Sequence, residues 1–482
     1  MPVFEQLLEA CKSHNGTIAR YGTSEETLGE HLEHIKEKVT TNQTYPYHRD
    51  REDVIKLASA HAEKLLGKEA AESVKEALSF GVLTTADHHG GLFSAQAFQG
   101  DLLYGELLKR MGHTGGYTPL FSFSHVELEN STYARGICCY ESGTKRQQLP
   151  IQPKKDLNRM VTVTKAFDRS MTERAKLLVQ DPETGFSTET AIQVNELLSW
   201  FYLDKEVLDK QRYADQITLI GEKLSEEYFT DDPSRRLLYL EVEEILGKLF
   251  LKELEDTDSF VGQIFYNPAV REALNNIRTE EGYPLAGLLF RGVDPKGRRV
   301  HTQLMPDGSM PGAGLHGFKT SYSTKKEDLK QLVRKRELIP AGFLAAVMLC
   351  FERGFTWLGG YFQAIYLTEW RDLFARALIE GGREDLAGTF AKMQCDGYIS
   401  GPVYLLNPAE DGLCTSGPVE LRKYKISAED FSRRMNITMS DAHKMGLFEI
   451  YLDLIPAENK EKDWYAVIAS YVKAHYDQYR IG

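Results

Sequence analysis

Residues 82–91 read Val-Leu-Thr-Thr-Ala-Asp-His-His-Gly-Gly, and this stretch decides the fold class that we expect for the chain. Its first four residues are typical of a short β-strand. The Asp-His-His-Gly-Gly segment then reads as a polar loop, and residues 92–111 have the leucine spacing of a helix. Further strands are predicted at residues 119–127 and 135–140. Strand, loop, helix and strand in this order form an α/β unit, in which the loops at strand ends usually bind ligands.

The remainder of the chain is predicted to be rich in helices. Residues 2–80 are mostly helical, with helices that end at Gly67 and Gly81. Residues 285–304 read as a hairpin around an Asp-Pro-Lys-Gly turn. Further helices are predicted over residues 170–179, 188–229, 234–254, 325–381 and 428–479, and further strands over residues 160–164, 396–406 and 419–425.

These elements predict an α+β (or α/β) protein, a single large helix-rich domain built around a mixed sheet. Residues 1–80 are interpreted as a helical N-terminal subdomain. Residues 81–482 are interpreted as the α+β main domain that carries the site. No interdomain linker is evident in the sequence.

The composition excludes several classes of protein. The chain has 482 residues, 42% of them hydrophobic and 27% charged, which is typical of a globular protein rather than a disordered one. Its 58 Lys and Arg against 70 Asp and Glu give a formal net charge of −12. A nucleic-acid partner is not expected, because general nucleic-acid binding needs a concentrated basic surface.

The sequence also predicts a compartment. The N-terminus lacks the basic and apolar regions of a secretory signal. Residues 340–367 come closest to a membrane span, but Glu352 and Arg353 interrupt them, so we expect buried core there and no membrane partner. The six cysteines have no CxxC spacing, which favours a reduced, cytoplasmic protein.

The loop that follows the first strand is the leading candidate for chemistry. Asp87, His88 and His89 place two imidazoles and a carboxylate together, and they are predicted to be catalytic groups or, for the two histidines, metal ligands. Gly90 and Gly91 offer backbone N–H groups before a helix, an arrangement that binds anions. The alternative is an exposed loop in which the aspartate caps the helix.

A second candidate segment begins on the strand predicted over residues 119–127. On a strand, His125, Glu127 and Glu129 would share one face. We expect His125 to act as a catalytic group, and His125 and Glu127 to complete a metal site with His88 and His89 that suits Zn, Mn or Fe. The alternative to a metal site is an ordinary strand with one solvent-exposed polar face. Three further residues are predicted to bind substrate: Thr85, Asn130 and Arg135.

No nucleotide-binding motif is convincing. Residues 312–317, Gly-Ala-Gly-Leu-His-Gly, match GxGxxG formally, but no predicted strand precedes them and no helix follows. We therefore interpret residues 305–317 as a flexible loop that could serve as a lid carrying His316, with Lys319 just beyond it. P-loop, G-x-S-x-G, HExxH and EF-hand motifs are not found.

The other histidines are assigned structural roles. Nine of the 13 histidines fall within the first 125 residues, so each must be considered separately. His31 and His34 are spaced for one helix face, yet we expect both on a solvated face. His61 lies on an amphipathic helix and has no partner nearby in the sequence.

The leading hypothesis is a cytoplasmic enzyme that acts on a small, polar, anionic metabolite. A divalent metal ion would give hydrolase, lyase or transferase chemistry. One alternative is a metal-free enzyme in which a histidine is the acid or base and a phosphate or carboxylate is held beside it. Another is a non-enzymatic ligand-binding or assembly protein. Homo-oligomerisation is left open by the sequence.

Overall fold

A computed structural model of the chain describes most of its residues. The described residues are 3–14, 16–86, 99–128, 135–139, 147–229, 232, 236–399, 417–423, 425–460, 462–464, 466–467 and 470. Residues 87–91 and Asn130, which the sequence marks as site residues, lie outside them.

The strands of the described residues are short. They are β1 (Val82–Ala86), β2 (Tyr117–Ser122), β3 (Gly136–Cys139), β4 (Gln147–Pro150), β5 (Arg236–Glu241), β6 (Phe290–Val293), β7 (Arg299–Thr302), β8 (Met310–Gly314), β9 (Lys319–Tyr322), β10 (Leu338–Pro340) and β11 (Thr356–Leu358). β3 and β4 pair with each other, and the other strands form a parallel and an antiparallel sheet.

Helices make up most of the remaining described chain. They are α1 (Val3–His14), α2 (Gly16–Ala19), α3 (Leu28–Asn42), α4 (Glu52–Leu66), α5 (Lys68–Ser79), α6 (Gln99–Arg110), α7 (Arg169–Val179), α8 (Thr188–Leu197), α9 (Lys205–Leu208), α10 (Tyr213–Tyr228), α11 (Val242–Glu253), α12 (Phe260–Tyr266), α13 (Pro268–Asn276), α14 (Lys326–Arg334), α15 (Gly342–Ala345), α16 (Tyr361–Glu380), α17 (Glu384–Gly388), α18 (Pro418–Lys423), α19 (Ala428–Arg434) and α20 (Met439–Leu454). Two π-helical turns continue α8 and α15, over Leu198–Tyr202 and Ala346–Phe351.

The parallel sheet has the strand order β11-β1-β2-β5. All residues of β2 are buried, which is usual for a parallel strand covered on both faces. α6 lies between β1 and β2 in the chain and packs against both strands. Ser122, at the end of β2, lies opposite Ala86 of β1 on one side and Glu241 of β5 on the other. The carboxyl ends of these strands therefore meet at one edge of the sheet.

The antiparallel sheet has the order β10-β6-β7-β8-β9 and one buried face. Buried and exposed residues alternate along β8, as expected when one face packs on the core. The ring of Tyr322 lies over Gly292 and Gly312, where an added Cβ would come within 2.2 and 2.9 Å of the tyrosine. Glycine is therefore required at both positions for this strand packing.

Residues near the two ends of the sequence are joined by backbone hydrogen bonds. α3 begins with a capping box in which Thr27 and Glu30 bond each other's backbone N–H groups. Just before and after this cap, the Leu28 N–H donates to the Ile437 carbonyl, and the Met439 N–H donates to the Glu26 carbonyl. α1 also packs against α20.

A fully buried arginine joins three parts of the core. Arg353 forms two hydrogen bonds of 2.9 Å to the Asp53 carboxylate on α4. Its Nη1 atom also pairs with Glu253 on α11 and donates to the Met348 carbonyl at 2.8 Å. Burial and the neighbouring Glu352 raise the pKa of Glu253, whereas Arg353 opposes this shift.

The fold class predicted from the sequence is confirmed. The chain is helix-rich and contains both a parallel and an antiparallel sheet, so it is an α+β protein. The hairpin expected near Asp294 is formed by β6 and β7. Residues 342–351 are helical and largely buried, as expected for core. Among the described residues, no helix has the length and apolar character needed to cross a membrane.

The helix predicted over residues 234–254 is wrong in its first part. Residues 236–241 form β5, and only residues 242–253 are helical. The apolar run that includes Leu237, Leu238 and Leu240 is buried within the sheet. A short apolar run fits either a buried strand or a buried helix, and its pairing with β2 decides between them.

Several smaller predictions are also wrong. The strand expected at residues 119–127 ends at Ser122, so His125 and Glu127 do not lie on it. Residues 161–163 form a 3-10 turn, and residues 418–423 form α18 instead of a strand. Of the strand predicted at residues 396–406, the described part contains only an isolated bridge at Tyr398. The long helices predicted at 188–229 and 325–381 are broken, the second by β10 and β11.

Two interpretations of individual residues also change. The flexible loop predicted over residues 305–317 is wrong for residues 310–314, which form β8 within the antiparallel sheet. His31 is buried, and its Nε2 atom lies 2.8 Å from the Tyr398 carbonyl, because α3 packs that face inward. His34 is solvent-exposed, as predicted.

We predict that Arg353 is essential to stability. Replacing it with Leu leaves Glu253 and Glu352 buried without their shared cation, so the free energy of unfolding should fall by about 3–5 kcal/mol. Chemical denaturation measures this difference. Arg376→Leu is the control, because Arg376 is exposed and paired with Glu380 across one turn, and it should cost about 0.5 kcal/mol or less. Equal losses in the two variants would contradict the prediction.

We predict that His443 makes the fold sensitive to acid. Burial lowers the pKa of His443 to about 4, whereas the pKa of an unfolded histidine is 6.5. The unfolded chain therefore takes up a proton that the folded chain refuses. The histidine's contribution to stability is complete above about pH 6.5, and about 3 kcal/mol of it is lost as the pH falls to about 4.

Denaturation of wild type and His443→Gln at several pH values tests this expectation. The variant should lose less stability than wild type between pH of about 6.5 and 4. A His443→Gln protein with the wild-type slope would show that another group is responsible.

Candidate functional site

The carboxyl ends of β2 and β5 bring a polar cluster together. Ser124 and His125 follow β2, whereas Glu241 ends β5 and Glu243 lies in the first turn of α11. The two strands pair in parallel, so these groups arrive at the same edge of the sheet. This edge is where ligands bind in open α/β sheets.

Glu243 holds the segment that follows β2. Its carboxylate accepts hydrogen bonds from the backbone N–H groups of Ser124 and His125, both at 2.9 Å, and from the Ser124 hydroxyl at 2.9 Å. It also lies 2.7 Å from Nδ1 of His125. The glutamate side chain is only 2% exposed. One buried carboxylate therefore fixes both the backbone and the imidazole.

This contact defines the chemistry that His125 can perform. A carboxylate only accepts hydrogen bonds, so Nδ1 carries the proton and Nε2 of the neutral ring is the basic atom. The His125 side chain is 16% exposed, and its ring packs edge-to-face on Phe123. A histidine oriented by a buried carboxylate is the arrangement used in general acid–base catalysis.

Glu241 has a different environment from Glu243. It is 1% exposed and accepts hydrogen bonds from the Ser124 and Thr162 hydroxyls at 2.6 and 2.8 Å. Arg336 and Arg212 also contact it. Burial alone would raise the pKa of Glu241, but Arg336 and Arg212 outweigh burial and hold that pKa well below its usual range. This carboxylate stays charged and serves to position its neighbours.

A cleft opens beside the cluster. Its volume is about 190 Å³, and Glu243, whose carboxylate orients His125, is one of the residues that line it. Glu244, Lys248 and Arg336 supply charges of both signs. The rest of the wall is largely apolar and includes Leu251, Val333, Leu338, Ile339 and Pro340. Such a lining suits a small ligand with a polar end.

A second buried imidazole lies near this cluster. His61 on α4 is 2% exposed, and neither ring nitrogen has a hydrogen-bond partner in the described structure. Burial lowers the pKa of His61, although the charges of Glu241 and Glu244 oppose this shift. The sequence predicts a structural role for His61, but its two ring nitrogens without a partner in the described structure make it a further candidate for a functional residue.

The predicted site residues that the structure describes have different partners. The Thr85 hydroxyl donates to Gln363. Glu127 pairs with Arg299 on β7, 3.3 Å away. Arg135 donates to the Gln152 carbonyl at 3.3 Å. Of these residues, His125 alone lies in the cluster at the ends of β2 and β5.

Of the four predicted metal ligands, the structure describes His125 and Glu127 but not His88 and His89. Within the described ranges, no three His, Cys, Asp or Glu side chains are grouped so that they could hold a metal ion. Asp87, His88, His89, Gly90, Gly91 and Asn130 lie outside those ranges, so their predicted roles stay predictions.

Comparison with known proteins gives no match to a protein family, to a curated protein or to a solved structure.

The sequence reasoning missed the carboxylates of the cluster. The helix predicted over residues 234–254 includes Glu241, Glu243 and Glu244, so the sequence pattern does not mark them as groups at a strand end. The signal lay in the apolar run at residues 237–240, followed at once by Glu-Val-Glu-Glu. A buried parallel strand that leads into a helix has this pattern, because the strand is apolar and acidic residues are favoured in the first turn of the helix.

We predict that Glu243 sets the tautomer of His125. ¹⁵N NMR of wild type at neutral pH should show the proton on Nδ1, because the carboxylate accepts it. In Glu243→Ala the proton should shift toward Nε2, which a free imidazole prefers. Glu244→Ala is the matched control, since Glu244 is the next residue on α11 and pairs with Arg336 and Lys248. An unchanged tautomer in Glu243→Ala would contradict the assignment.

Proposed function

We propose that the protein is an enzyme that acts on a small, polar, anionic metabolite and uses His125 as its general acid and base. The observation that carries this proposal is the 2.7 Å contact between His125 Nδ1 and the buried Glu243 carboxylate at the carboxyl edge of the parallel sheet. The cleft beside Glu243 supports it, because its size and lining suit a small ligand.

In the proposed reaction, Nε2 of His125 removes a proton from the substrate or from a water molecule. The imidazolium that results is stabilised by the Glu243 carboxylate, which keeps the ring in place. The same ring then returns the proton to the leaving group or product. Histidine suits both steps, because its unperturbed pKa lies near neutral pH. Hydrolase, lyase and transferase chemistry all use such a step.

A metal-assisted form of this reaction is the second candidate. Metal-binding histidines commonly donate their other ring N–H to a carboxylate, as His125 does to Glu243. In this form, His125 would bind a divalent Zn, Mn or Fe ion through Nε2 together with His88 and His89. The ion would polarise a substrate oxygen or activate water.

The remaining parts of the proposal follow the sequence. Gly90, Gly91, Asn130 and Arg135 are proposed to hold the anionic group of the substrate. A cytoplasmic location is proposed because the sequence favours reduced thiols, and the five described cysteines are buried and free. A non-enzymatic binding protein is the alternative that the activity experiment below excludes or supports.

We predict that His125→Gln loses about 10²- to 10⁴-fold of the turnover of wild type, which is the usual contribution of general acid–base catalysis. Wild type is incubated with a panel of phosphorylated and carboxylated metabolites, and ¹H and ³¹P NMR record which compound is consumed. His34→Gln is the control, because this exposed histidine lies on α3, outside the cluster. Full turnover by His125→Gln, or consumption of no compound by wild type, would contradict the proposal.

Elemental analysis of the same preparations distinguishes the two forms of the reaction. In the metal-assisted form, wild type contains a stoichiometric divalent metal, and His88→Ala and His89→Ala lose both the metal and the turnover. In the metal-free form, wild type holds no such metal. If both variants then also keep full turnover, the metal ligands predicted from the sequence are excluded.

A further inference from the structure

The solvent-facing side of the antiparallel sheet carries several positive charges. Arg291 on β6 lies directly opposite His301 on β7, and Arg299 is two residues from His301 on the same face. On the other side of His301, Ala313 of β8 lies opposite Lys319 of β9. We call Arg291, Arg299, His301 and Lys319 the basic face.

Arg291 has a guanidinium edge that no described residue contacts by a hydrogen bond. Its Nη1 atom donates to the backbone carbonyls of Gly287 and Phe290, both at 3.2 Å. Among the described residues no carboxylate pairs with it, and its Nε and Nη2 atoms make no hydrogen bond. This pair of nitrogens is the edge through which arginine binds an oxyanion with two parallel hydrogen bonds. Burial and the charge of Arg299 lower the pKa of Arg291.

The described part of the chain supplies few negative charges to the basic face. Of the carboxylates in the described structure, only Glu127 pairs with one of its members, Arg299 at 3.3 Å. Like charges on neighbouring strands repel and weaken the pairing of a sheet. Burial and the positive charges of Arg291 and Arg299 lower the pKa of His301. A bound anion would relieve this repulsion.

The spacing of the charges indicates the size of the anion. Adjacent strands lie roughly 5 Å apart, so one oxyanion group can contact Arg291 and His301 together. Lys319 lies two strands beyond His301, roughly 10 Å away, across the small side chain of Ala313. A second anionic group is needed to reach it.

We propose that the basic face binds a small polyanion that carries two phosphate groups, one held by Arg291 with Arg299 and His301 and the other by Lys319. A phosphate group suits the arginine edge, because its geometry accepts two parallel hydrogen bonds. A nucleic acid is disfavoured as the ligand, since the chain has a formal net charge of −12. This inference is independent of the acid–base role proposed for His125.

Calorimetric titration with sodium pyrophosphate at constant ionic strength tests the proposal. Wild type should bind one pyrophosphate saturably, and Arg291→Gln should weaken binding about tenfold or more. Glu127→Gln should strengthen binding, because it removes the carboxylate that competes for Arg299. Lys319→Gln should weaken binding of pyrophosphate while leaving binding of inorganic phosphate unchanged.

Arg376→Gln serves as the matched control, because this arginine is exposed on α16 and should leave the affinity unchanged. If Arg291→Gln fails to fold, Lys319→Gln still tests the proposal, because Lys319 is exposed. The proposal is overturned if wild type shows no saturable binding, or if Arg291→Gln and Lys319→Gln both bind as wild type does. It is also overturned if a single-stranded oligonucleotide binds the same face more tightly than pyrophosphate.

Discussion

The position of the candidate site depends on the buried ion cluster around Arg353. Glu253, at one end of α11, pairs with this arginine, while Glu243, at the other end, orients His125. Arg353 also binds Asp53 on α4 with two parallel hydrogen bonds. α11 is therefore held in place at both ends, by the buried Arg353 at its carboxyl end and by the polar cluster at its amino end. Buried ion pairs add little net stability, but they penalise every arrangement in which a partner is missing.

The two buried glutamates at the end of β5 illustrate how environment separates like residues. Glu241 is surrounded by Arg212 and Arg336, so its charge is compensated and its role is to position Ser124 and Thr162. Glu243 has no arginine in its hydrogen-bond set, and it takes N–H donors from the backbone and from His125. The Ser124 hydroxyl lies within hydrogen-bond distance of both carboxylates. It has a single proton, so it can donate to only one of them at a time.

The sequence was sufficient for the part of the site that depends on local patterns. The β-branched run at residue 82, the leucines of α6 and the alternation before Ser122 predict β1, a helix and β2, and the structure confirms them. The same reasoning predicts His125 on a strand over residues 119–127, whereas β2 ends at Ser122. It failed at β5, because a buried apolar run has neither helical nor strand periodicity of its own. The partner of His125 is far away in the chain, and only the pairing of β2 with β5 brings Glu243 to it.

The backbone bonds between residues 26–28 and residues 437–439 have a consequence for synthesis. A ribosome makes α3 well before residues 437–439, which supply the carbonyl and N–H groups that complete the start of this helix. Until then, the Glu26 carbonyl and the Leu28 N–H have only water as a partner. The helices near the N-terminus should therefore reach their final packing late, after most of the core has formed. A nascent chain stalled before residue 437 should expose this region to proteases that the finished protein resists.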